Sequence, residues 1–405
     1  MQLSKQTELL SGLGVFFAIW TITFIYSNLM QPIGYSQHYW FSTTALFIAS
    51  GCILSSIIIK KPYVIAPGLS VGWFAATQIL PQSNLVNFFL CIICSGIILI
   101  ATSKIKNLKH IAQLLPNYLQ ATISMGIGCL FIRLALVEQL QFGTKILNHM
   151  LFISTIALMI YFQLRKNAAG SLITVVIILT LSLIFKVTHW HGVFALPEHF
   201  KTILSIETIK VNWHILPKQV LEMSLFTFFN IATGVFCLRQ ICLALNINTS
   251  DQLLSKACLA SGINDVLAGF FVCGPNTVYI ESAFGLHLGG RGRLSLIITC
   301  LCFLIFAFCF PLGQMIPQEL FRGIFFFIGL TLLMPVKILH NQLRQEKLIA
   351  GILLAIIIYS RSILNGLYLG IIIHYLILLK QKHTIERINH LISLISLCSL
   401  FIKFI

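Results

Sequence analysis

The sequence predicts an all-α, polytopic membrane protein with 14 transmembrane segments arranged as two inverted repeats of seven. Of its 405 residues, 58% are hydrophobic and 9% are charged, whereas a soluble domain carries about 25% charged residues. Apolar runs of about 20 residues, the length that crosses a bilayer, recur from one end of the chain to the other. Basic residues follow every second run, which is the pattern of alternating cytoplasmic loops.

The bounds of the predicted transmembrane segments are those of the apolar runs. They lie at about 12–30, 41–59, 63–80, 85–103, 118–138, 149–164, 170–186, 218–240, 256–272, 275–288, 294–310, 318–335, 348–360 and 362–379. Lys or Arg follows each even-numbered segment, for example Lys60 after the second and Arg165 after the sixth. Because cytoplasmic loops are enriched in Lys and Arg, we expect both termini to be cytoplasmic.

The longest polar connection, 187–217, follows the seventh segment and is predicted to lie on the outer side. Seven segments on either side of it place the two halves in opposite orientation, the arrangement of inverted-repeat transporters. His189 and His191 in this loop have no acidic or Cys neighbour, so no metal site is predicted there. The net charge of +16 is accounted for by the basic loops, and no nucleic-acid-binding motif accompanies it.

The third and tenth segments are the irregular ones. The third contains Pro67-Gly68 in YVIAPGLSVGWFAATQILP, and the tenth contains Gly274-Pro275 in CGPNTVYIESAFGL. Interrupted segments at matching positions of two halves are the best sequence indication of a midplane binding site. Non-helical backbone at that depth must line a cavity or pack on protein.

Glu281 follows the second interruption directly. An ionisable side chain at membrane depth is costly and is a functional hypothesis by default. A carboxylate there accepts N–H donors from a neutral ring and also titrates. Both properties are suited to a proton-coupled carrier.

The stretch around Glu281 resembles a motif of the xanthine/uracil permease superfamily (nucleobase–cation symporter-2 type), in its AzgA-like adenine/guanine/hypoxanthine branch. The motif has the form T-S-x-V-T-x-Y-I-E-S-A-x-G-x-x-x-G-G-R-T-G-L. The matching positions are Thr277, Tyr279, Ile280, Glu281, Ser282, Ala283, Gly285, Gly289, Gly290, Arg291 and Leu294. Ala66-Pro67-Gly68 likewise matches the L-A-P-G of the third segment, and the similarity spans about 11–335.

The resemblance implies a fold of two inverted sevens with short extended strands in segments 3 and 10 that meet at the substrate site. It further implies a core domain, 1–110 and 218–312, that moves against a gate domain, 111–186 and 313–383. The outer loop at 187–217 and an apolar C-terminal tail at 384–405 complete the expected organisation.

Three departures from the family pattern concern polar positions of the site. In the eighth segment, Phe228 and Ile231 occupy the family's acidic positions, and Asn230 is the nearest polar residue. Gly72 stands in place of the family's Asn in the third segment. A ninth-segment aspartate of the family falls at Ser261, while Asp265 follows one turn later on the same helical face.

The function predicted from these features is secondary active uptake of a purine nucleobase with a proton, and no enzyme motif or cofactor site is predicted. The expected proton-coupling groups are Glu281 and Asp265. The residues expected to bind the base are Glu281, Gly68, Ser70, Asn276, Thr277, Tyr279, Phe229, Asn230 and Thr233. The expected location is the bacterial inner membrane, and a homodimer is one candidate for the oligomeric state.

Two other functions remain open at this stage. A non-transporting or degenerate nucleobase-binding membrane protein would agree with the missing acidic residues of the eighth segment. An anion carrier of the sulfate-permease type would share the fold, although it binds its substrate at half-helix N-termini, where a carboxylate repels an anion.

Overall fold

The structure is a computed structural model that describes most of the chain. The described residues are 5–105, 108, 117–141, 146–165, 170–189, 192–206, 211–245, 247, 250, 252–315, 317–334, 336, 339, 342–360 and 363–380. The predicted C-terminal tail, 384–405, lies outside them.

The described residues are mainly helical. The helices are α1 Lys5–Ile19, α2 Thr21–Leu29, α3 Gln37–Ile58, α4 Leu69–Phe74, α5 Leu85–Thr102, α6 Asn117–Gln141, α7 Ile146–Leu164, α8 Gly170–Ile184, α9 Leu216–Ala244, α10 Leu253–Phe270, α11 Ala283–His287, α12 Arg293–Phe306, α13 Phe310–Gln314, α14 Gln318–Leu332, α15 Arg344–Ser360 and α16 Ile363–Lys380. The two strands are β1 Ile65–Pro67 and β2 Asn276–Val278.

Within this described part, five helical stretches are long and apolar enough to cross a membrane. They are Lys5–Ile33, Gln37–Ile58, Leu85–Thr102, Ile146–Leu164 and Leu216–Arg239. The chain is therefore an integral membrane protein, as predicted. The count of fourteen segments and the inverted repeat remain predictions.

The third and tenth segments are broken as expected. Each has a three-residue strand next to its Gly-Pro or Pro-Gly pair, with β1 ending at Pro67 and β2 following Pro275, and each continues into a short helix. After β1 the chain forms α4, and after β2 it forms the 3-10 turn Ile280–Ser282 and then α11. Proline removes a backbone donor and disfavours a helical conformation in the residue before it, which explains why neither segment is one continuous helix.

The chain divides into two compact units. The first consists of Met1–Lys106 and Leu158–Pro317, and it contains both strands. The second consists of Asn107–Ala157 and Gln318–Ile405. Of the expected gate domain, 111–186 and 313–383, the stretches 158–186 and 313–317 fall in the first unit. The assignment of one part as a moving core and another as a gate stays a prediction.

Close helix crossings at small residues hold each unit together. In the first unit α5 crosses α10 so closely that a Cβ on Gly96 would lie 2.7 Å from the carbonyl oxygen of Gly262. In the second unit the same distance separates a Cβ on Gly128 of α6 from the carbonyl oxygen of Gly329 of α14. Small residues at such crossings are typical of membrane helix packing, because dispersion contacts replace the hydrophobic effect there.

Candidate functional site

The two broken segments meet through their strands, and this ladder is the frame of the candidate site. β1 pairs with β2 in antiparallel register, with Ala66 opposite Thr277. The ladder extends at both ends, because Gly68 N–H donates to Pro275 O at 3.0 Å and Tyr279 N–H donates to Val64 O at 2.9 Å. The broken backbone is thus hydrogen-bonded within the protein, as non-helical backbone at the predicted membrane depth would have to be.

Two helices approach the ladder at glycines. A Cβ on Gly51 of α3 would lie 2.0 Å from the carbonyl oxygen of Ile65, and a Cβ on Gly234 of α9 would lie 2.7 Å from that of Val278. Ile65 and Val278 are partners in the ladder. The terminal pair of the ladder is therefore contacted by two helix backbones.

Two side chains of the tenth segment form further hydrogen bonds with the backbone of the third segment. The Tyr279 hydroxyl donates to Pro67 O at 2.6 Å, and Ser282 Oγ accepts the N–H of Val64 at 2.9 Å. Tyr279 is buried and its hydroxyl is occupied. The Tyr-Ile-Glu-Ser stretch thus positions the strands with its Tyr and Ser.

α4 and α9 contribute half-buried polar side chains that contact each other. Ser70 Oγ donates to Asn230 Oδ1 at 2.7 Å, and Asn230 Nδ2 donates to the carbonyl of Phe226 at 2.9 Å. Thr233, one turn along α9, donates to the carbonyl of Phe229 at 2.9 Å. These hydroxyl and amide groups keep acceptor capacity for a ligand, because each hydroxyl oxygen has two lone pairs.

Glu281 is the exposed carboxylate of this region. It lies in the 3-10 turn Ile280–Ser282, against which α9 also packs, and its side chain is exposed. No ion pair involving Glu281 exists among the described residues. Arg291 does not neutralise it, since its guanidinium donates to the carbonyls of Leu286 and Gly290 at 2.7 and 2.8 Å.

The residues predicted to bind substrate divide by accessibility. Glu281 is exposed, and Ser70, Asn230 and Thr233 are half-buried. The buried members of the predicted set are Gly68, Asn276, Thr277, Tyr279 and Phe229. The region of the ladder thus contains an exposed carboxylate and, at half-buried positions, two hydroxyls and an amide, while the other predicted residues are buried. The part that each takes in binding stays a prediction.

The position of the family's Asn is filled by another side chain. A Cβ on Gly72 would lie 2.6 Å from Cε2 of Tyr26, and a Cβ on Gly274 would lie 1.7 Å from the Tyr26 hydroxyl oxygen. The Tyr26 ring therefore packs against both interrupted segments. Its hydroxyl is buried and has no hydrogen-bond partner among the described residues.

Sequence reasoning missed a carboxylate that holds the loop after α11. Glu8 of α1 is 5% exposed, and its two oxygens accept the N–H groups of Arg291 at 2.8 Å, Gly292 at 2.9 Å and Ser295 at 3.1 Å. The acceptor lies at the start of α12, where backbone donors have no intrahelical partner and the helix dipole favours a negative charge. No local signal could have indicated a pairing across more than 280 positions.

Replacement of Glu8 should destabilise the fold. Glu8→Ala leaves three backbone donors without their acceptor, and we expect a loss of about 2–4 kcal/mol in the free energy of unfolding. The measurement is thermal unfolding of the purified protein in detergent. Glu346→Ala is the matched control, because Glu346 accepts one exposed N–H, that of Leu343, and such a cap contributes about 1 kcal/mol. Equal losses in the two variants would contradict the proposed contribution of Glu8.

The described residues contain no group of three or more His, Cys, Asp or Glu side chains able to hold a metal ion. The described polar groups of the site are hydrogen-bond donors and acceptors and one exposed carboxylate.

Comparison with curated proteins identifies relatives of the whole chain. It is 23% identical over 389 residues to the nucleobase transporter PlAzg2 of Paenibacillus larvae, an alignment that covers 90% of this chain and 76% of that protein. It is also 23% identical over 389 residues to the adenine permease AdeP of Escherichia coli K12, with 91% and 86% covered. Other relatives are named guanine/hypoxanthine permeases.

Comparison with solved structures agrees on the architecture. The transmembrane domain of the cyanobacterial bicarbonate transporter BicA superimposes with a TM-score of 0.72, covering 91% of this chain and 98% of that domain at 13% identity. At that identity the likeness shows the fold alone. The sequence relatives and the family are transporters, not enzymes. The family model Xan_ur_permease, described as Permease family, matches residues 6–360, and the chain therefore belongs to this permease family.

Proposed function

We propose that the protein takes up a purine nucleobase together with a proton. The observation that carries the proposal is the exposed Glu281 carboxylate beside the ladder, without an ion pair among the described residues, while the neighbouring backbone groups are already hydrogen-bonded. A neutral purine presents ring N–H donors, and hydrogen bonds to a charged acceptor are about twice as strong as neutral ones.

The accessible polar set complements the rest of a purine. Ser70 and Asn230 offer a hydroxyl and an amide that already contact each other at 2.7 Å. A base with both donor and acceptor edges matches such a mixed set, and sites that hydrogen-bond a substrate reject analogues that lack the matching group. The relatives named as adenine and guanine/hypoxanthine permeases agree with a purine.

Uptake of this kind implies an arrangement in the membrane. We propose fourteen segments in two inverted sevens, both termini cytoplasmic, and a core that moves against a gate in the plasma membrane of a bacterium. A homodimer remains one candidate for the assembled state.

One other function is favoured by a specific observation, namely the likeness of the fold to a bicarbonate transporter. An anion carrier of this fold would need a positive site for its substrate. Here the exposed charge of the site is negative, and a carboxylate next to an anion is repulsive by several kcal/mol when the pair is desolvated. A neutral base is therefore the better substrate class.

Uptake of labelled adenine, guanine, hypoxanthine, xanthine and uracil into cells that lack their own permeases tests the proposal. We expect a purine to accumulate, faster with acid outside, and accumulation to stop when a protonophore collapses the gradient. Absence of uptake for all five bases, with bicarbonate or sulfate transported instead, would reject the purine assignment. Uptake that is unaffected by the protonophore would reject proton coupling and leave a facilitator.

A further inference from the structure

A second carboxylate, Asp265 of α10, lies behind the ladder and is fully buried. Its Oδ1 accepts the backbone N–H of Asn276 at 2.6 Å and the side-chain Nδ2 of the same residue at 3.0 Å. Its Oδ2 is buried and has no hydrogen-bond partner within the described residues. Oδ1 of Asp265 therefore accepts two hydrogen bonds from the first residue of β2, whereas Oδ2 accepts none from the described residues.

The other end of the Asn276 amide is fixed as well. Asn264, next to Asp265 on α10, donates from Nδ2 to Asn276 Oδ1 at 3.0 Å and to the carbonyl of Phe47 at 3.2 Å. Ser50 of α3 donates to Asn264 Oδ1 at 2.6 Å. This chain of bonds sets the direction of the amide, so that its NH₂ group faces Asp265.

Among the described residues, no opposite charge forms an ion pair with Asp265. α3 and α5, both packed against α10, contain no Lys, Arg, Asp or Glu at all. The nearby titratable groups are the thiol of Cys273 and the hydroxyl of Tyr26 on α2, and that hydroxyl, like Asp265 Oδ2, is buried and lacks a partner among the described residues.

α9 also packs against α10 and carries charges, but these lie near other groups. Glu222 is close to Cys91 of α5, and Arg239 is close to Tyr63. Lys218 lies one turn before Glu222 in the first turn of the helix. No salt bridge to Asp265 exists in the part of the chain that the structure describes.

A proton would stabilise a buried carboxylate of which one oxygen has no hydrogen-bond partner. An unpaired charge in an apolar interior is strongly disfavoured, and neutralisation by a proton relieves that cost. A proton on Oδ2 would leave Oδ1 as the acceptor of both Asn276 bonds. These bonds are charge-assisted, and roughly twice as strong, only when the carboxylate is ionised.

We propose that Asp265 carries the co-transported proton and transmits its protonation state to the substrate site through Asn276 and β2. Glu281 then binds the base, and the two carboxylates have separate roles. β2 begins at Asn276 and leads through Tyr279 to the turn that holds Glu281, so a change in the strength of the Asn276 bonds moves or frees the element that presents Glu281. The proposal rests on the proposed proton-coupled uptake.

The test uses the purified full-length protein in liposomes with labelled adenine or hypoxanthine, whichever the wild type transports faster. Asp265→Asn retains an acceptor oxygen for Asn276 and removes the titratable group. We expect this variant to exchange labelled for unlabelled base across the membrane as the wild type does. Under an imposed gradient of about one pH unit, where a one-proton carrier accumulates base about tenfold, we expect its accumulation ratio to fall to about one.

Asn264→Ala is the matched control. It loosens Asn276 from the other side and leaves the carboxylate in place, so it should weaken base binding and retain accumulation. The proposal would be overturned if Asp265→Asn still accumulated base. It would also be overturned if Asn264→Ala lost accumulation to the same extent, because the loss would then result from the altered strand and not from the missing proton carrier. Should Asp265→Asn fail to fold, Asp265→Ser is measured by the same two assays.

The wild-type protein separates this inference from the function on which it rests. Wild-type liposomes that transport no base reject the proposed function. Wild-type liposomes that transport base without moving protons reject the coupling. A wild type that couples rejects the role of Asp265, and leaves the proposed function in place, when Asp265→Asn also couples or when Asn264→Ala loses accumulation equally.

Discussion

Glu281→Gln is expected to weaken purine binding roughly ten- to a hundredfold while the protein still folds. A hydrogen bond to a charged group contributes about 1.5–3 kcal/mol, and every 1.4 kcal/mol is a factor of ten in affinity. Gln keeps one acceptor oxygen and nearly the same shape, but it replaces the second oxygen with a donor that faces the donor edge of the base. Because Glu281 has no described ion-pair partner, its replacement leaves no cation unpaired.

The measurement is equilibrium binding of a labelled purine to the purified variant, with thermal unfolding as the check on folding. Glu198→Gln serves as the control, because Glu198 is a carboxylate of the 187–217 connection that contacts Ser36 and His38. It should leave purine affinity unchanged. Wild-type affinity in Glu281→Gln would remove this residue from the site, and an equal loss in both variants would indicate a general effect of charge.

The broken segments were predictable from the sequence because proline and glycine act locally. Pro67-Gly68 and Gly274-Pro275 interrupt the hydrophobic runs, and in the structure one strand ends at Pro67 and the other begins directly after Pro275. The pairing of the two strands followed only from the family resemblance. Residues 65 and 278 are far apart in the chain, and nothing in either three-residue stretch specifies its partner.

The hydrogen bonds between Asp265 and Asn276 could not be predicted from the sequence, because they depend on an unusual turn. The chain must turn sharply between α10 and β2, and it does so with Val272 at φ 54° and a bond from Cys273 N–H to the carbonyl of Ala268 at 2.7 Å. A β-branched residue is rare in the left-handed region, so no sequence rule places the turn there. Without that turn, a sequence separation of eleven between Asp265 and Asn276 suggests no contact.

The hydrogen-bond partners of Glu8 could not be predicted from the sequence either. Its acidic side chain in the first turn of an N-terminal helix has the appearance of an ordinary helix-dipole residue. The structure shows that it serves the start of α12 instead. Helix composition indicates that a carboxylate favours some helix N-terminus, and only tertiary packing determines which one.

Gly51→Ala is expected to have the largest effect on folding of the substitutions near the site. The new Cβ would lie 2.0 Å from the carbonyl oxygen of Ile65 and 2.8 Å from its carbonyl carbon, and both atoms belong to the backbone of β1. A flexible side chain could rotate away, but a strand paired with β2 can yield only by moving the ladder. Overpacking typically costs 1–3 kcal/mol and occasionally more, and we expect a cost of at least about 3 kcal/mol here.

Gly234→Ala acts on the other strand of the same terminal pair and provides the graded comparison. Its Cβ would lie 2.7 Å from the carbonyl oxygen of Val278, so a smaller displacement relieves the contact. We expect this variant to fold with a lower unfolding midpoint and to transport more slowly, because β2 leads to Glu281. Gly51→Ala should show both a lower yield of folded protein and no measurable uptake.

The matched control is Gly351→Ala in α15. A Cβ at Gly351 meets nothing within 4 Å, and Ala is about 1 kcal/mol more favourable than Gly in a helix, so this variant should be unchanged or slightly more stable. The three variants are compared by yield, thermal unfolding and purine uptake. Wild-type stability and uptake in Gly51→Ala would show that the ladder tolerates displacement. The explanation that a rigid ladder requires glycine where the two helices approach it would then be wrong.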